Sequence, residues 1–548
     1  MTALLTDNLP LLAGAPNGIK KLRELVLELA VRGKLVPQDP SDEPASELLK
    51  RIAEEKARLV AEGKIKKQKA LAKIGDDEKT LELPAGWAWQ RFADFALDVS
   101  TGPFGSLIHQ SDYVDGGIPL VNPSHMIDGR IVADQSVSLS TEMAESLVSY
   151  RLSSGDMVMA RRGEVGRVAL VTGAEEGWLC GTGSFVLRFT VEVSRAYVWT
   201  LFRCNSVRTY LAGAAVGTTM VNLNHSILLK MPIAVPPLPE QHRIVAKVDE
   251  LMALCDRLEA QQADAESAHV QLVQALLGSL TQARDAADFA QSWQRLAEHF
   301  HTLFTTESSI DALKQTLLQL AVMGKLVPQD PSDEPASELL KRISEERAAG
   351  IAGRRSPKQT ALSNIGPDEK SFELPSNWEW VRLQQIISVS SGDGLVSTSM
   401  KPEGGIPVYG GNGITGYHDQ KNVDTETLVI GRVGYYCGSI HLTPTQAWIT
   451  DNALRVSFSE ANIYKEFLYW LLKGTNLKEQ ENATAQPVIS GRKIYPIVLA
   501  IPPLAEQHRI VAKVDQLMAL CDQLKARLNL ARQVHEQLAG ALVEQAVA

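Results

Sequence analysis

The chain has 548 residues, 45% hydrophobic and 22% charged, an ordinary globular composition with room for about three or four domains. A formal net charge of −9 excludes coating of nucleic acid through bulk positive charge, so any such contact needs local basic patches or a partner's charge. The N-terminal MTALLTDNLPLLAG lacks a basic n-region, no apolar run reaches membrane-spanning length, and the five cysteines form no CxxC pair, so the expectation is a cytoplasmic chain with buried thiols, no membrane association and no metal site.

From about Gly18 the apolar positions Leu22, Leu25, Val26, Leu29 and Ala30 form a helical stripe that ends at Gly33, a C-cap glycine. After LVPQDP, Ser41 or Asp42 is placed to cap a second helix, with Pro44 in its first turn and Leu48, Leu49 and Ile52 on one face. The stretch Leu29–Ile52 returns almost word for word as Leu320–Ile343, with only Arg32 against Met323 differing. A basic stretch follows each copy, Lys64, Lys66, Lys67 and Lys69 in the first and Arg354, Arg355 and Lys358 in the second. It reads as a solvated linker or as a strip that meets phosphates.

Both stretches lead to a similar signal, LELPAGWAWQR at Leu81 and FELPSNWEWVR at Phe372. On a strand, Trp87 and Trp89, or Trp378 and Trp380, share one face and anchor a domain edge. The segments that follow, about 87–234 and 378–500, do not resemble each other, and the second is the shorter. They are rich in Gly, Val, Ile and Thr, with short strand-like runs (Met157–Ala160, Val168–Thr172, Thr427–Ile430, Gly438–Leu442) and helical pieces near Arg195–Ala212 and Asn462–Leu472. Compact mixed α/β domains with many loops are expected.

Each segment ends at a second repeat, PPLPEQHRIVAKVDELMALCDRLEA from Pro236 and PPLAEQHRIVAKVDQLMALCDQLKA from Pro502. Apolar residues recur at steps of four and three: Ile244, Val248, Leu251, Cys255 and Leu258, then Ile510, Val514, Leu517, Cys521, Leu524 and Leu528. That is a heptad seam, and helices of about 40 residues would run roughly 60 Å. An antiparallel pair is expected, with His269 and His535 in structural roles at equivalent seam positions. The fold class is therefore α+β: two mixed α/β domains separated by long constant helices in an antiparallel coiled coil, with an internal pseudo-two-fold repeat.

Catalytic patterns are missing. GKLV at Gly33 and Gly324 lacks the upstream glycine and the hydroxyl residue of a P-loop, and Asn122-Pro123-Ser124-His125 matches an amino-methyltransferase motif only by chance. The alternation of near-constant and variable stretches instead reads as a binding part of a larger machine, in which one duplicated frame holds two interchangeable domains.

These motifs closely resemble the specificity subunit of Type I restriction-modification enzymes over nearly the whole chain. The doubled PPLxEQHRIVAKVD, the doubled GKLVPQ and the ELPxxWxW signals at Glu82 and Glu373 carry the resemblance. LSSGDMVMARRGEVG (Leu152–Gly166), GGIPVYGGNGITGY (Gly404–Tyr417), IGRVGYYCG (Ile430–Gly438) and WITDNA (Trp448–Ala453) look like the family's recognition segments. The resemblance implies a non-catalytic chain whose two target-recognition domains each read one half of an asymmetric bipartite double-stranded DNA target. The constant helices would space the domains and dock two adenine methyltransferase (modification) subunits. S-adenosylmethionine would sit on those partners, this chain binding no cofactor, and a separate motor subunit would translocate and cleave. The expected boundaries are 1–86 (helical region and linker), 87–235 (first recognition domain), 236–377 (central constant region), 378–501 (second recognition domain) and 502–548 (terminal helix).

Two domains so held can sample half-sites about one helical turn apart, each well-read base pair contributing roughly 1–3 kcal/mol of discrimination. Charges in the variable segments are nearly balanced, so electrostatics alone does not point to DNA. Arg161 and Arg162 before Gly163, and Arg432 in the matching turn, can reach guanine as two-pronged donors or pair with a carboxylate such as Glu164. The other DNA-binding candidates are Ser106, Asn122, His125, Thr218, Thr219 and Asn222 in the first domain, and Tyr409, Asn412, Asn452 and Gln486 in the second. The alternative to DNA reading is a non-enzymatic scaffold whose variable domains bind proteins.

Overall fold

In the computed structural model, residues 9–103, 107–213, 222–284, 286–352, 362–475, 477 and 488–547 are described. The chain forms two compact units, Met1–Asp264 with Ala531–Ala548, and Ala265–Leu530. These cut across the boundaries expected from the sequence. The cuts fall inside the two 44-residue helices, Leu238–Thr281 and Leu504–Val547, because each helix buries its first turns in one unit and its last turns in the other.

In the first unit, the helices Gly18–Val31 and Ala45–Ala61 form the hairpin that the repeat predicts. Its turn is a Schellman motif: Lys34 N–H donates to Leu29 O at 2.9 Å and Gly33 N–H to Ala30 O at 3.4 Å, with Gly33 at φ 66°. A Cβ on Gly33 would meet Pro84 Cγ and sit 2.9 Å from Trp87 Cζ2. Gly33→Ala is therefore expected to destabilise the chain by about 1–3 kcal/mol, through left-handed strain and this contact, as read by urea unfolding. The expected cap is not used. The second helix starts after Pro44, and Asp42 instead accepts two hydrogen bonds from Arg243 of the long helix, at 2.5 and 3.2 Å.

The repeat PPLxEQHR is a clamp. Glu240 is 1% exposed and accepts from the Trp87 indole at 3.0 Å and from Gln38 at 3.1 Å. Gln241 accepts from Ser194 N–H at 3.2 Å and donates to Pro236 O at 3.1 Å. The second unit repeats every joint: Glu506 with Trp378 (2.9 Å) and Gln329 (2.7 Å), Gln507 with Tyr464 N–H (2.9 Å) and Pro502 O (3.1 Å), and Arg509 with Asp333 (2.5 Å). Three residues within four positions thus tie the long helix to the hairpin, to the tryptophan just before the strand that opens the domain, and to the domain itself. The linker docks as well, since Arg91 grips Glu78 at 2.6 and 2.7 Å and holds its carboxyl down to about 2. Arg382 and Glu369 repeat the pair at 2.9 Å. Lys64, Lys66, Lys67 and Lys69 are exposed, which suits a solvated linker and a phosphate-meeting strip alike. Arg354, Arg355 and Lys358 lie outside the described residues.

The seam is shared more widely than a two-helix coil. Ile244, Val248 and Met252 pack in a cluster with Leu25, Val26 and Leu29 of the hairpin and with Val543 and Ala546. Cys255 and Leu258 lie with Ile19 and Leu22, and Ala539 with Leu12 and Ala15. The first turns of one long helix thus share a core with the last turns of the other, running antiparallel. In the second unit Val273, Leu277 and Leu280 share a cluster with Leu313, Leu317, Ile510, Val514 and Cys521. Other apolar positions stay open, Leu272 at 52% and Leu538 at 51% exposure. His269 and His535 meet backbone oxygens, Thr302 O at 3.2 Å and Leu11 O at 2.8 Å. All five cysteines are buried and none forms a disulfide.

The two variable segments, dissimilar in sequence, build one scaffold. Ala88–Arg91 pairs antiparallel with Pro232–Val235, and Glu379–Arg382 with Val498–Ile501, closing each domain where the chain enters and leaves it. The first domain's main sheet orders Asp98–Thr101, Ser184–Arg188, Met157–Ala160, Val168–Leu170. The second orders Ile387–Ser391, Ala453–Phe458, Leu428–Gly431, Ile440–Leu442 in the same antiparallel sense. Each domain also has a smaller sheet with a parallel contact, Leu179–Cys180 on Ile118–Val121 and Trp448–Ile449 on Ile406–Gly410.

Candidate nucleic-acid interface

At one end of each main sheet the loops converge on an arginine. In the first domain Arg161 N–H donates to Gly183 O at 2.9 Å, and Leu223 N–H donates to Arg161 O at 2.8 Å. In the second, Arg432 N–H donates to Asn452 O at 2.9 Å and Ile489 N–H to Arg432 O at 2.8 Å. The isolated bridges Arg162–Asn222 and Val433–Val488 match in the same way. Arg161 and Arg432 are therefore structural equivalents, each at the end of a buried strand and followed by a turn through a left-handed glycine, Gly163 (φ 72°) and Gly434 (φ 96°). Loops mounted on a rigid sheet are suited to recognition, because the scaffold fixes what the tips present.

Close glycine packing brings the neighbouring loops together. A Cβ on Gly102 would strike Gly181 O, one on Gly181 would strike Asn122 Oδ1, and one on Gly392 would strike Ile449 O and Thr450 O. Asn122, Arg161, Arg162 and Asn222 thus lie at one place. Arg161 Nε donates to Asn222 Oδ1 at 3.2 Å, and its guanidinium lies 5.4 Å from the Phe185 ring centroid. Burial and the neighbouring Arg162 pull the Arg161 guanidinium below its ordinary value, yet an arginine remains a cation. Arg162 is exposed. Glu164 pairs with neither: it takes Arg167 and, at 4.0 Å, Arg208. Glu164 is therefore not the partner of Arg161 or Arg162; Arg161 is held by Asn222 and Phe185, and Arg162 stands exposed beside it.

In the second domain Arg432 donates to Asp451 O at 3.1 Å and Ser391 Oγ at 3.3 Å, beside exposed Asn452. Exposed Asn412 is the second residue of the two-residue turn between Ile406–Gly410 and Gly413–His418. Gly411, next to it, packs so closely that a Cβ would strike Val433 O.

Two expected contacts turn inward. His125 is 8% exposed, with Nδ1 3.0 Å from Leu120 O in the short helix Pro123–His125; it closes a loop and presents nothing to a ligand. Tyr409 is 7% exposed, and its hydroxyl donates to Leu442 O at 3.4 Å. His125 ends the short helix beside the strand Met126–Ile127, and Tyr409 lies within the strand Ile406–Gly410 among core residues, so both rings fill space under the loops. Ser106, Thr218, Thr219 and Gln486 lie outside the described residues.

A cleft of about 790 Å³ on the first unit is lined by Arg23, Arg203, Asp249, Asp256 and Trp199 among others. Its charges largely satisfy one another: Arg23 reaches Asp256 and Glu259 at 2.6 Å, and Arg203 stacks 4.1 Å over Trp199. It shows no arrangement of nucleophile and base.

A family model described as the Type I restriction modification DNA specificity domain matches residues 105–266 and 375–531. The specificity subunits of the Type I restriction enzymes EcoEI and EcoAI of Escherichia coli are both 37% identical to this chain, over 97% of it and 94% of their own length. Among solved structures, the crystal structure of the HsdS subunit from Thermoanaerobacter tengcongensis covers 86% of this chain and 98% of its own at 20% identity, with a TM-score of 0.43.

Proposed function

This chain belongs to the Type I restriction-modification specificity subunits, which are non-catalytic DNA-recognition subunits, and from that premise we propose how it divides the work. Each recognition domain reads one half of a bipartite double-stranded DNA target, and the halves differ in sequence. The observation that carries this reading is the shared scaffold with unlike tips. The backbone hydrogen bonds around Arg161 and Arg432 are the same, while the side chains they hold out are different. Identical mounts with different tips are what an asymmetric target requires.

The duplicated clamp supports two equivalent docking surfaces for two copies of one partner, an adenine methyltransferase subunit. The exposed apolar residues Leu272, Leu530, Val534 and Leu538 on the long helices offer such a partner helix faces to cover. S-adenosylmethionine would bind on those subunits, and a motor subunit would join the same assembly in the cytoplasm. No helix among the described residues is long and apolar enough to cross a membrane. With net charge −9, phosphate neutralisation falls to local arginines and to the partners.

Exchange of residues 87–234 for the corresponding segment of another family member is expected to change one half of the methylated sequence and leave the other half and the spacing intact. Mapping of methylated adenines in cells reads this out. A change in both halves, or in neither, rules out modular reading. Salt-dependent but sequence-indifferent binding of the purified complex would favour the protein-scaffold alternative.

A further inference from the structure

The second domain's turn after Arg432 presents a chemistry that the first domain's lacks. Tyr435 is 80% exposed and Tyr436 50%, although tyrosines of this size are ordinarily half-buried or more in a monomer. The turn that carries them is held firmly. Cys437 is fully buried and its N–H donates to Gly434 O at 2.9 Å. Ser439 N–H donates to Tyr436 O at 3.1 Å, and Gly438 N–H to Gly431 O at 2.8 Å. The two rings brace each other edge to face, with centroids 5.0 Å apart at 87°. At the equivalent place the first domain has Glu164 and Val165, the glutamate being neutralised by Arg167 and Arg208.

We propose that Tyr435 and Tyr436 are specificity-determining contacts of the second domain, packing their rings against base edges and deoxyribose of the second half-site beside Arg432. The inference rests on the DNA-reading function above and deepens it. Two rigid rings offer large contact area at little cost in side-chain entropy. Their faces suit thymine methyl groups and sugars, and their hydroxyls suit groove acceptors. Arg432 supplies the cation, and Asn412 and Asn452 supply amides from loops that meet the same turn. The two half-sites are thus read by different physics. The first relies on a pair of adjacent arginines, whereas the second relies on one arginine and an aromatic pair.

The difference has a signature that a merely structural role would not give. Neutral rings release no counterions, so removing them leaves the slope of log affinity against log salt unchanged, whereas removing a phosphate-contacting cation lowers it by about one. The test uses the chain assembled with its modification subunits and a duplex carrying the target mapped by methylation. With Tyr435→Ala/Tyr436→Ala, affinity is expected to fall about 10- to 100-fold with the salt slope unchanged. Discrimination against a scrambled second half-site should fall with it, and discrimination against a scrambled first half-site should stay. Tyr435→Phe/Tyr436→Phe, which keeps the rings, should retain most of the affinity and guards against a folding defect in the alanine variant. Unchanged affinity and discrimination in the alanine variant would overturn the proposal. So would a loss of subunit assembly with DNA reading intact, which would make the rings a protein contact. If the unaltered complex itself shows no sequence preference, the DNA-reading function fails first, and the two failures are told apart by that control.

Discussion

Trp378→Ala is expected to lower the stability of the second unit by about 3–5 kcal/mol, the range for truncating a buried tryptophan. The ring is 3% exposed and lies against the hairpin turn, where a Cβ on Gly324 would come within 3.1 Å of its Cζ2. Two losses combine. A cavity opens under the hairpin turn, and Glu506, 1% exposed, loses the indole N–H that it accepts at 2.9 Å and keeps only Gln329 at 2.7 Å. The defect has a pH dependence. Burial pushes the Glu506 carboxyl above its ordinary value, and the hydrogen bonds from Trp378 and Gln329 pull it back by favouring the anion. A raised folded value means that the folded state holds the proton more tightly, so this stability is present at low pH and is lost as pH rises through the folded value. Without the indole the carboxyl rises further. The deficit of the variant should therefore be smaller near pH 5 than near pH 7, as read by urea unfolding at both. A deficit that is equal at the two pH values would show that only the cavity matters. Trp87→Ala should behave alike through Glu240, whose carboxyl is raised by burial in the same way.

Much of this frame was legible in the sequence because it is written twice. Gly33 and Gly324 end helices as their positions suggest, Pro236-Pro237 and Pro502-Pro503 do precede the long helices, and the heptad residues Ile244, Val248, Ile510 and Val514 are buried. Periodicity alone did not show what buries them. A seam of steps four and three looks the same whether one helix covers it or several, and here Ile19, Leu22, Leu25 and Leu29 of the hairpin share the work. The capping expectation failed at Asp42 for a related reason: a carboxylate near a helix start can cap it or pair across space, and Arg243 decided the matter.

The recognition domains were legible as regions but not as a common fold. Their equivalence is carried by main-chain bonds, such as Arg161 N–H to Gly183 O and Arg432 N–H to Asn452 O, and backbone groups leave no trace in side-chain pattern. The match of Arg161 with Arg432 was visible because both precede a turn glycine. His125 and Tyr409 were not separable from the exposed loop residues, since a polar or aromatic residue in a glycine-rich stretch can face either way. Tyr435 and Tyr436 carried a usable signal, two consecutive large aromatics inside a turn, where the strands rather than the turn would normally claim them.

Leu251→Pro is expected to abolish assembly of a methylating complex while leaving the recognition domains folded. Position 251 lies inside the helix Leu238–Thr281, past the clamp of Glu240, Gln241 and Arg243 and before residue 265, where the helix passes into the second unit. Proline there removes the N–H bonded to the preceding turn and collides with it, a cost of about 3 kcal/mol or more. The clamp does not depend on that turn, so the hairpin, the closing strands and the first domain's sheet should survive. What is lost is the continuity of the helix that begins in the first unit and passes into the second at residue 265. If the long helices set the spacing of the two half-sites, the variant should fail to form a complex with its modification subunits by size-exclusion chromatography and should not methylate the bipartite target. Leu251→Ala separates helix continuity from packing. Leu251 is only partly buried in its cluster, so alanine, a better helix former, removes side-chain contacts and keeps the backbone. The alanine variant should assemble and methylate. Failure of both variants would place the requirement in the leucine side chain, and success of the proline variant would mean that the helix is not what spaces the two half-sites.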